Sequence, residues 1–502
     1  IQICVRKSNF MENKLVSLTQ LTNLKNDSEI SKDFVCYYAG LASTREYKHQ
    51  EILDLDELLK NLNLSSNDSS GFIFGYLVPQ LNKEFDLIKI TKDYILNIEL
   101  KSQEKDKKCL AKQLIQNAHY LKLLERQIYC FTFVSSDKKL YKLVNNDELQ
   151  DAEFEELEAL CSNECVSGVD LDEVFAPKNI LVSPLNNTQR FLNGDYLLTE
   201  NQENIKKKIL KKLDFLETGY FFGLTGGPGT GKTLLLYDVA KQLSLDKKVL
   251  MIHSGLLCNG HIILQNKINN LKISNAKALR WREINNVDYV LVDEAQRLYE
   301  SALDKIEKWV IKAKTICVFS YDPNQRVSYS ENSRKTVDRI NSLCGENKEK
   351  LTTKIRTNKE MAQFINCLTN LKNYKSNYRF SHVKIFYEPD KAKAMELAKH
   401  LADEEYQYIS ITPSFYDHSL DYQNGKENTH TVIGQEFDKV CMIMDSNFYY
   451  KDGKLEARQH PNPDYIFTKL LNQGITSARS DLALIITDKK LLQNILLLFK
   501  NK

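Results

Sequence analysis

Apolar and polar positions follow two different rhythms along this chain of 502 residues. Before residue 175 the pattern is mixed. HQEILDLDELLKNL (49–62) and CLAKQLIQNAHYLKLLERQ (109–127) repeat their apolar positions at helical spacing. FDLIKI (85–90) and YILNIEL (94–100) are β-branched and aromatic runs on either side of the turn TKD, and both are predicted strands. IYCFTFVSSDKKLYKLV (128–144) predicts a hairpin, and ELQDAEFEELEAL (148–160) an acidic helix. APKNILVSPLNNTQ (176–189) has no periodicity and two prolines, which predicts a linker. From about 196 onward, short apolar runs alternate with amphipathic helices: YFFGLTG, KVLMIH, YVLVDEA, TICVFSYD, and a second series after 380. Strand–helix alternation of this kind predicts doubly wound parallel sheets, here two in tandem. The expected division is 1–175, a linker at 176–195, then 196–345 and 346–502.

Composition narrows the function classes. Lys+Arg 69 against Asp+Glu 66 leaves a net charge of +3, so a nucleic-acid surface would have to be a local patch. Five lysines between Lys206 and Lys212 read first as a solvated helix face. No apolar run approaches the ~18 residues of a membrane span, and IQICVRKSNF lacks the layout of a secretion signal. The 11 cysteines form no framework, so reduced thiols and a cytoplasmic location are expected. Cys161 and Cys165 are the closest pair and read as structural. Glycine is scarce at 18 residues, yet Gly223, Gly226, Gly227, Gly229 and Gly231 fall together.

Four of those glycines belong to GGPGTGKT (226–233), which matches G-x-x-x-x-G-K-[ST] between an apolar strand and a helix. The backbone of Gly226, Gly227, Pro228, Gly229, Thr230 and Gly231 would curl amide groups around phosphates at a helix N-terminus. Lys232 would reach the terminal phosphates of ATP, and the Thr233 hydroxyl would ligate Mg²⁺. DYVLVDEAQRL (288–298) ends a strand in Asp293, the second magnesium ligand, and Glu294, which would polarise the attacking water.

In that context the stretch 196–502 resembles a superfamily 1 helicase. LTENQENI (198–205) resembles the Q motif, which implies that Gln202 reads adenine. VFSYDPNQRVS (318–328) resembles motif III and implies that Asp322 and Gln325 couple the γ-phosphate to a nucleic-acid groove. LTTKIRTNKEMAQFI (351–365) resembles motif IV and makes Arg356 the arginine finger. HTVIGQEFDKVCMIMD (430–445) resembles motif V, which implies that Gly434 and Glu436 lie near ATP and the backbone phosphates of the nucleic acid. NQGITSARSDLALIITD (472–488) resembles motif VI, but Ser477 stands where the family has arginine, leaving Arg479 as the substitute. The short form, with no room for large inserted subdomains, is similar to the helicase-like domain of long Schlafen proteins and its bacterial relatives.

EFDLIKITKDYILNIELKSQ (84–103) sets Asp86 in one strand and Glu99 and Lys101 on one face of the next. Two carboxylates able to share Mg²⁺ or Mn²⁺, beside a lysine that orients water, suit phosphodiester hydrolysis. The pattern resembles the PD-(D/E)XK nuclease signature. Gln116 and Tyr120 match the Q-x-x-x-Y of RecB-type members, and Gln113 lies one turn earlier. Glu51 or Glu57 is a candidate auxiliary metal ligand, and His119 is expected to face solvent or DNA.

The expected architecture is therefore α/β throughout: a PD-(D/E)XK nuclease-like domain followed by two RecA-like domains. Together the resemblances imply an ATP-dependent nuclease–helicase acting on nucleic acid, DNA before RNA, without membrane contact, and self-associating if it cuts both strands. Bacterial nuclease–helicase immunity proteins share this layout, which implies a role in anti-phage defence. A repair nuclease–helicase, or an ATP-switched nucleic-acid binder with an inert N-terminal domain, are the alternatives.

Overall fold

The computed structural model describes residues 14–23, 25–41, 48–78, 83–103, 106–145, 148–176, 179, 182–214, 219–325, 327–328, 330–331, 334–352, 359–375, 378–412, 427–458 and 465–499. Two compact units divide at Ala176 and Pro177.

In the N-terminal unit, strands β1 (Phe72–Val78), β2 (Lys83–Ile90), β3 (Tyr94–Lys101), β4 (Gln127–Val134), β5 (Lys139–Val144) and β6 (Glu148–Asp151) form one sheet in chain order. Every neighbouring pair is antiparallel except β3 and β4, which run parallel. A parallel pair needs a crossover, and the Lys107–Leu121 helix supplies it. Phe72, Leu87, Leu96, Ile98 and Phe133 from one sheet face pack with Ile52 and Leu55 of the His49–Leu59 helix. The predicted strands, turn, hairpin and both helices are present. β1 is an addition, and the expected acidic helix is shorter (Phe154–Cys161) because Glu148–Asp151 pairs with β5.

The second unit holds two parallel sheets. The first has the order β12-β7-β11-β10-β8-β9, from β7 (Phe221–Gly226), β8 (Val249–His253), β9 (Leu271–Asn275), β10 (Tyr289–Asp293), β11 (Ile316–Tyr321) and β12 (Lys348–Leu351). β8, β10 and β11 are buried along their whole length, as strands covered on both faces must be. The second sheet has the order β13-β18-β15-β14, from β13 (Val383–Tyr387), β14 (Tyr406–Tyr408), β15 (Phe437–Met444) and β18 (Ala478–Ile486), with a separate hairpin of β16 (Phe448–Lys451) and β17 (Lys454–Ala457). Both are RecA-like in plan. β12 extends the first sheet past the boundary expected at 345. The stretch expected as a linker carries a helix, Thr188–Asn193, and buries Val182, Leu185 and Phe191 in the first sheet's core. Its anchors are too widely spaced to read as a period. No helix among the described residues is long and apolar enough to cross a membrane.

Candidate functional site

β7 delivers the chain to the phosphate loop, and the Lys232–Leu243 helix carries it away. Gly229 and Gly231 take φ of 73° and 82°, the left-handed region that a side chain strains. A Cβ on Gly226 would meet Thr230 Oγ1 and the Leu351 carbonyl, so the loop can close only on glycine. Thr230 Oγ1 and Lys232 Nζ both donate to the Gly227 carbonyl, at 2.9 and 3.0 Å. Pro228 is half-buried at the crest. Gln202, fully buried, accepts from the Thr199 amide at 2.9 Å and donates to the Thr230 carbonyl at 3.3 Å. It ties the preceding helix to the loop.

β10 ends beside this loop. Thr233 Oγ1 donates to Asp293 Oδ2 at 3.2 Å, which brings together the two residues expected to hold magnesium. Glu294 follows with φ of 55°, a left-handed turn at a non-glycine position. That turn lets its carboxylate accept from Gln296 Nε2 at 2.7 Å and Arg297 Nε at 3.3 Å. Burial and the adjacent Glu294 push the Asp293 carboxyl up. Burial would raise Glu294 too, but Arg297, Lys232 and His253 outweigh it and hold Glu294 below its ordinary value. The two neighbouring carboxyls are thus pushed in opposite directions, the separation that acid–base work on water needs.

The network continues outward from the acid pair. Gln296 Oε1 accepts from the Asp322 amide at 3.1 Å. Arg297 Nη2 donates to Gln473 Oε1 at 3.2 Å, and Gln325 Nε2 donates to the same oxygen. Gln473 lies on the Phe467–Ile475 helix, which packs on the second sheet, so one amide oxygen is shared across the two RecA-like domains. Gly434, with φ of 75°, also comes from the second domain; a Cβ there would lie 3.1 Å from His253 Cε1 and 3.7 Å from Asp293 Oδ2.

Other expected residues sit elsewhere. The Glu436 amide donates to Asn186 Oδ1 at 3.0 Å, and its side chain is buried. Arg479 is bound to Asp438 at 2.6 Å and to Asn187 at 3.0 Å, at the start of β18. Ser477 turns back onto its own helix, donating to the Gln473 carbonyl at 2.9 Å. Arg356 lies outside the described residues. Gln296, Arg297, Gln473 and His253 were not expected. The first two stand inside DYVLVDEAQRL, Gln473 inside the motif VI stretch 472–488 and His253 at the end of the KVLMIH run, but none of the four was singled out there.

In the N-terminal unit, the β2–β3 register sets Leu87 opposite Ile98, and continuing it by one step sets Asp86 opposite Glu99. Asp86 Oδ2 accepts from the Leu100 amide at 2.8 Å. Lys101 Nζ stands 3.3 Å from Glu99 and 3.6 Å from Asp86. Gln113 Nε2 donates to Glu99 Oε2, and Asn117 Nδ2 to Glu99 Oε1 at 2.7 Å. Asp86, Glu99, Lys101 and Gln113 therefore converge, with Asn117 as an unforeseen partner. Gln116 is half-buried on the same helix, Tyr120 is buried edge-on to Phe85, and His119 is exposed. Oxygens of Glu51, Glu84 and Asp86 lie within 4.8 Å of one another. Lys48 Nζ stands 3.0 Å from Glu51 and 3.5 Å from Glu84, and Glu57 is engaged by Lys60 and Lys138, both at 2.9 Å. Burial first, and then Asp86, push the Glu99 carboxyl up to about 7. Carboxylate oxygens brought this close are a donor set that suits a hard divalent cation.

Residues 221–430 match the family model described as Schlafen group 3, DNA/RNA helicase domain, and form a helicase-like domain. Similar solved structures include Pif1 helicase from Candida albicans, at 10% identity over 59% of this chain and 98% of that one, TM-score 0.32. A Pif1 helicase from Bacteroides is 12% identical over 60% and 94%, TM-score 0.30. Two coordinating Pif1 helicases on forked dsDNA give 13% over 57% and 92%, TM-score 0.31. The curated proteins contain no match.

Proposed function

We propose that this chain is an ATP-driven helicase or translocase on nucleic acid, DNA before RNA, joined to a metal-dependent nuclease domain. The observation that carries the motor is the Thr233–Asp293 hydrogen bond with Glu294 beside it at the mouth of the phosphate loop. The loop amides and Lys232 bind and orient the phosphates of ATP, its substrate. Thr233 and Asp293 would hold magnesium, which neutralises phosphate charge when bound. Glu294 accepts the proton of the attacking water, while Gln296 and Arg297 fix its carboxylate. The shared oxygen of Gln473 links that acid pair to the second domain, the route by which closure would act on the nucleic-acid groove.

For the N-terminal unit, the antiparallel β1–β2–β3 run, the crossover helix and the parallel β4 support a nuclease core. Asp86 and Glu99, with Glu51 or Glu84, would hold Mg²⁺ or Mn²⁺, which supplies Lewis-acid activation of the scissile phosphate. Lys101 orients the water. The defence role rests on the pairing of these two units alone.

A second reading is favoured by Ser477 at the motif VI arginine position and by Arg479 being held on Asp438: an ATP-switched clamp that does not move. Measuring DNA-stimulated ATP turnover alongside Mn²⁺-dependent cleavage separates the two. A motor turns over ATP continuously on single strands, whereas a clamp binds ATP and stalls.

A further inference from the structure

Residues 182–187 pass from the core of the first RecA-like domain onto the surface of the second. Val182 and Leu185 are buried in the first domain's core. The Leu185 carbonyl lies so close over Gly260 that a side chain there would collide with it. One residue on, Asn186 Nδ2 donates to Gln435 Oε1 at 3.1 Å, and Asn186 Oδ1 accepts from the Glu436 amide at 3.0 Å. Asn187 Oδ1 then accepts from Arg479 at 3.0 Å.

Asn187 is the residue before the Thr188–Asn193 helix, where an asparagine oxygen ordinarily caps the helix's free amides. Here it makes no such cap bond and is turned to Arg479 instead. A cavity of about 690 Å³ opens beside these contacts, lined in part by Asn186, Asn187, Glu436, Asp438 and Arg479. Hydrogen bonds, more than packed apolar surface, therefore hold the segment to the second domain. Gly434, next to the clasped Gln435, backs onto the acid pair: a Cβ there would lie 3.1 Å from His253 and 3.7 Å from Asp293.

We propose that Asn186 and Asn187 form a strap that sets the closure of the two RecA-like domains, and so act as positioning residues for ATP binding. The inference rests on the motor reading. Losing the strap lowers the fraction of closed protein, and apparent affinity for ATP falls by the same factor. Saturating ATP restores closure, so kcat is spared. Arg479 is, on this account, the strap's anchor.

The test is steady-state ATP turnover on single-stranded DNA by the full chain carrying Asn187→Ala, Asn187→Asp, or Asn186→Ala with Asn187→Ala. Binding of a non-hydrolysable ATP analogue is measured in parallel. The alanine variants should raise KM and the analogue's Kd roughly tenfold, the effect of one or two net hydrogen bonds, with kcat within about twofold. Asn187→Asp keeps the acceptor for Arg479 and should restore both constants. Melting by circular dichroism checks that the variants are folded. Unchanged KM and Kd in folded alanine variants, or Asn187→Asp behaving like Asn187→Ala, would overturn the strap. A wild-type chain with no ATP turnover would instead bring down the motor reading, and the strap with it.

Discussion

Thr233 and Asp293, 60 positions apart in sequence, meet at 3.2 Å where the Lys232–Leu243 helix begins and β10 ends. A hydroxyl and a carboxylate from two neighbouring structural elements thus face one point beside the phosphate loop. Glu294, next in the chain, is turned toward Arg297 by its left-handed backbone.

The acid pair divides binding from chemistry. Lys232→Ala should weaken ATP binding and abolish turnover, because it removes the cation that reaches the phosphates. Glu294→Gln should keep ATP affinity and lower turnover by at least about 100-fold, the scale of a lost general base. Equilibrium nucleotide binding and phosphate release, measured on both variants, check the split.

The proposed nuclease centre of the N-terminal unit predicts that Glu99 and Lys101 separate. Glu99→Ala would remove a proposed metal ligand, so Mn²⁺ binding and cleavage should both fail. Lys101→Ala should stop cleavage while leaving Mn²⁺ affinity largely intact, since an ammonium orients water and does not hold the ion. Neither should change DNA-stimulated ATP hydrolysis. Calorimetry with Mn²⁺ and a gel assay of cleavage read both effects. Cleavage surviving in Glu99→Ala would leave the N-terminal unit without a nuclease centre.

The buried Glu99 carboxyl makes stability depend on pH. Its value in the fold, about 7, lies above the ordinary 4.5. The stability it contributes is therefore complete below about 4.5 and is lost as pH rises through about 7. Glu99→Gln stays neutral throughout. In EDTA at pH 8 it should protect the β2 and β3 amides from hydrogen exchange at least about tenfold better than wild type, one pKa unit being ~1.4 kcal/mol. At pH 5 the difference should shrink. Mn²⁺ should reverse the order, because binding requires the ionised carboxylate.

Gln473 tests the link between the domains. Its oxygen takes hydrogen bonds from both Arg297 and Gln325. Gln473→Ala should cut the stimulation of ATP turnover by single-stranded DNA roughly tenfold, the value of one or two net hydrogen bonds. Titrating DNA against turnover rate measures it. Full stimulation in Gln473→Ala would remove that residue from the coupling route.

Where chemistry is written in consecutive residues, the sequence was readable. GGPGTGKT and the Asp293-Glu294 pair need a strand on one side and a helix on the other, and local periodicity supplies both. Asp86, Glu99 and Lys101 were readable for a related reason: a short turn fixes register, and register fixes which side chains share a face. The partners that orient these groups were not. Asn117 and Gln473 act through tertiary contacts that their place in the sequence does not reveal. Arg479 shows the converse: its place in a motif pointed to ATP, yet its contacts are Asp438 and Asn187. The 182–187 segment lay inside 176–189, read as a linker for its two prolines and lack of periodicity, although two well-placed apolar residues suffice to bury it.

The central claim, a motor driven by ATP on nucleic acid, is tested most directly by phosphate release from the 502-residue chain with and without single-stranded DNA. Turnover should rise at least about tenfold on adding DNA, and Glu294→Gln should abolish it. Turnover that ignores DNA, or that persists at the wild-type rate in Glu294→Gln, would contradict the account.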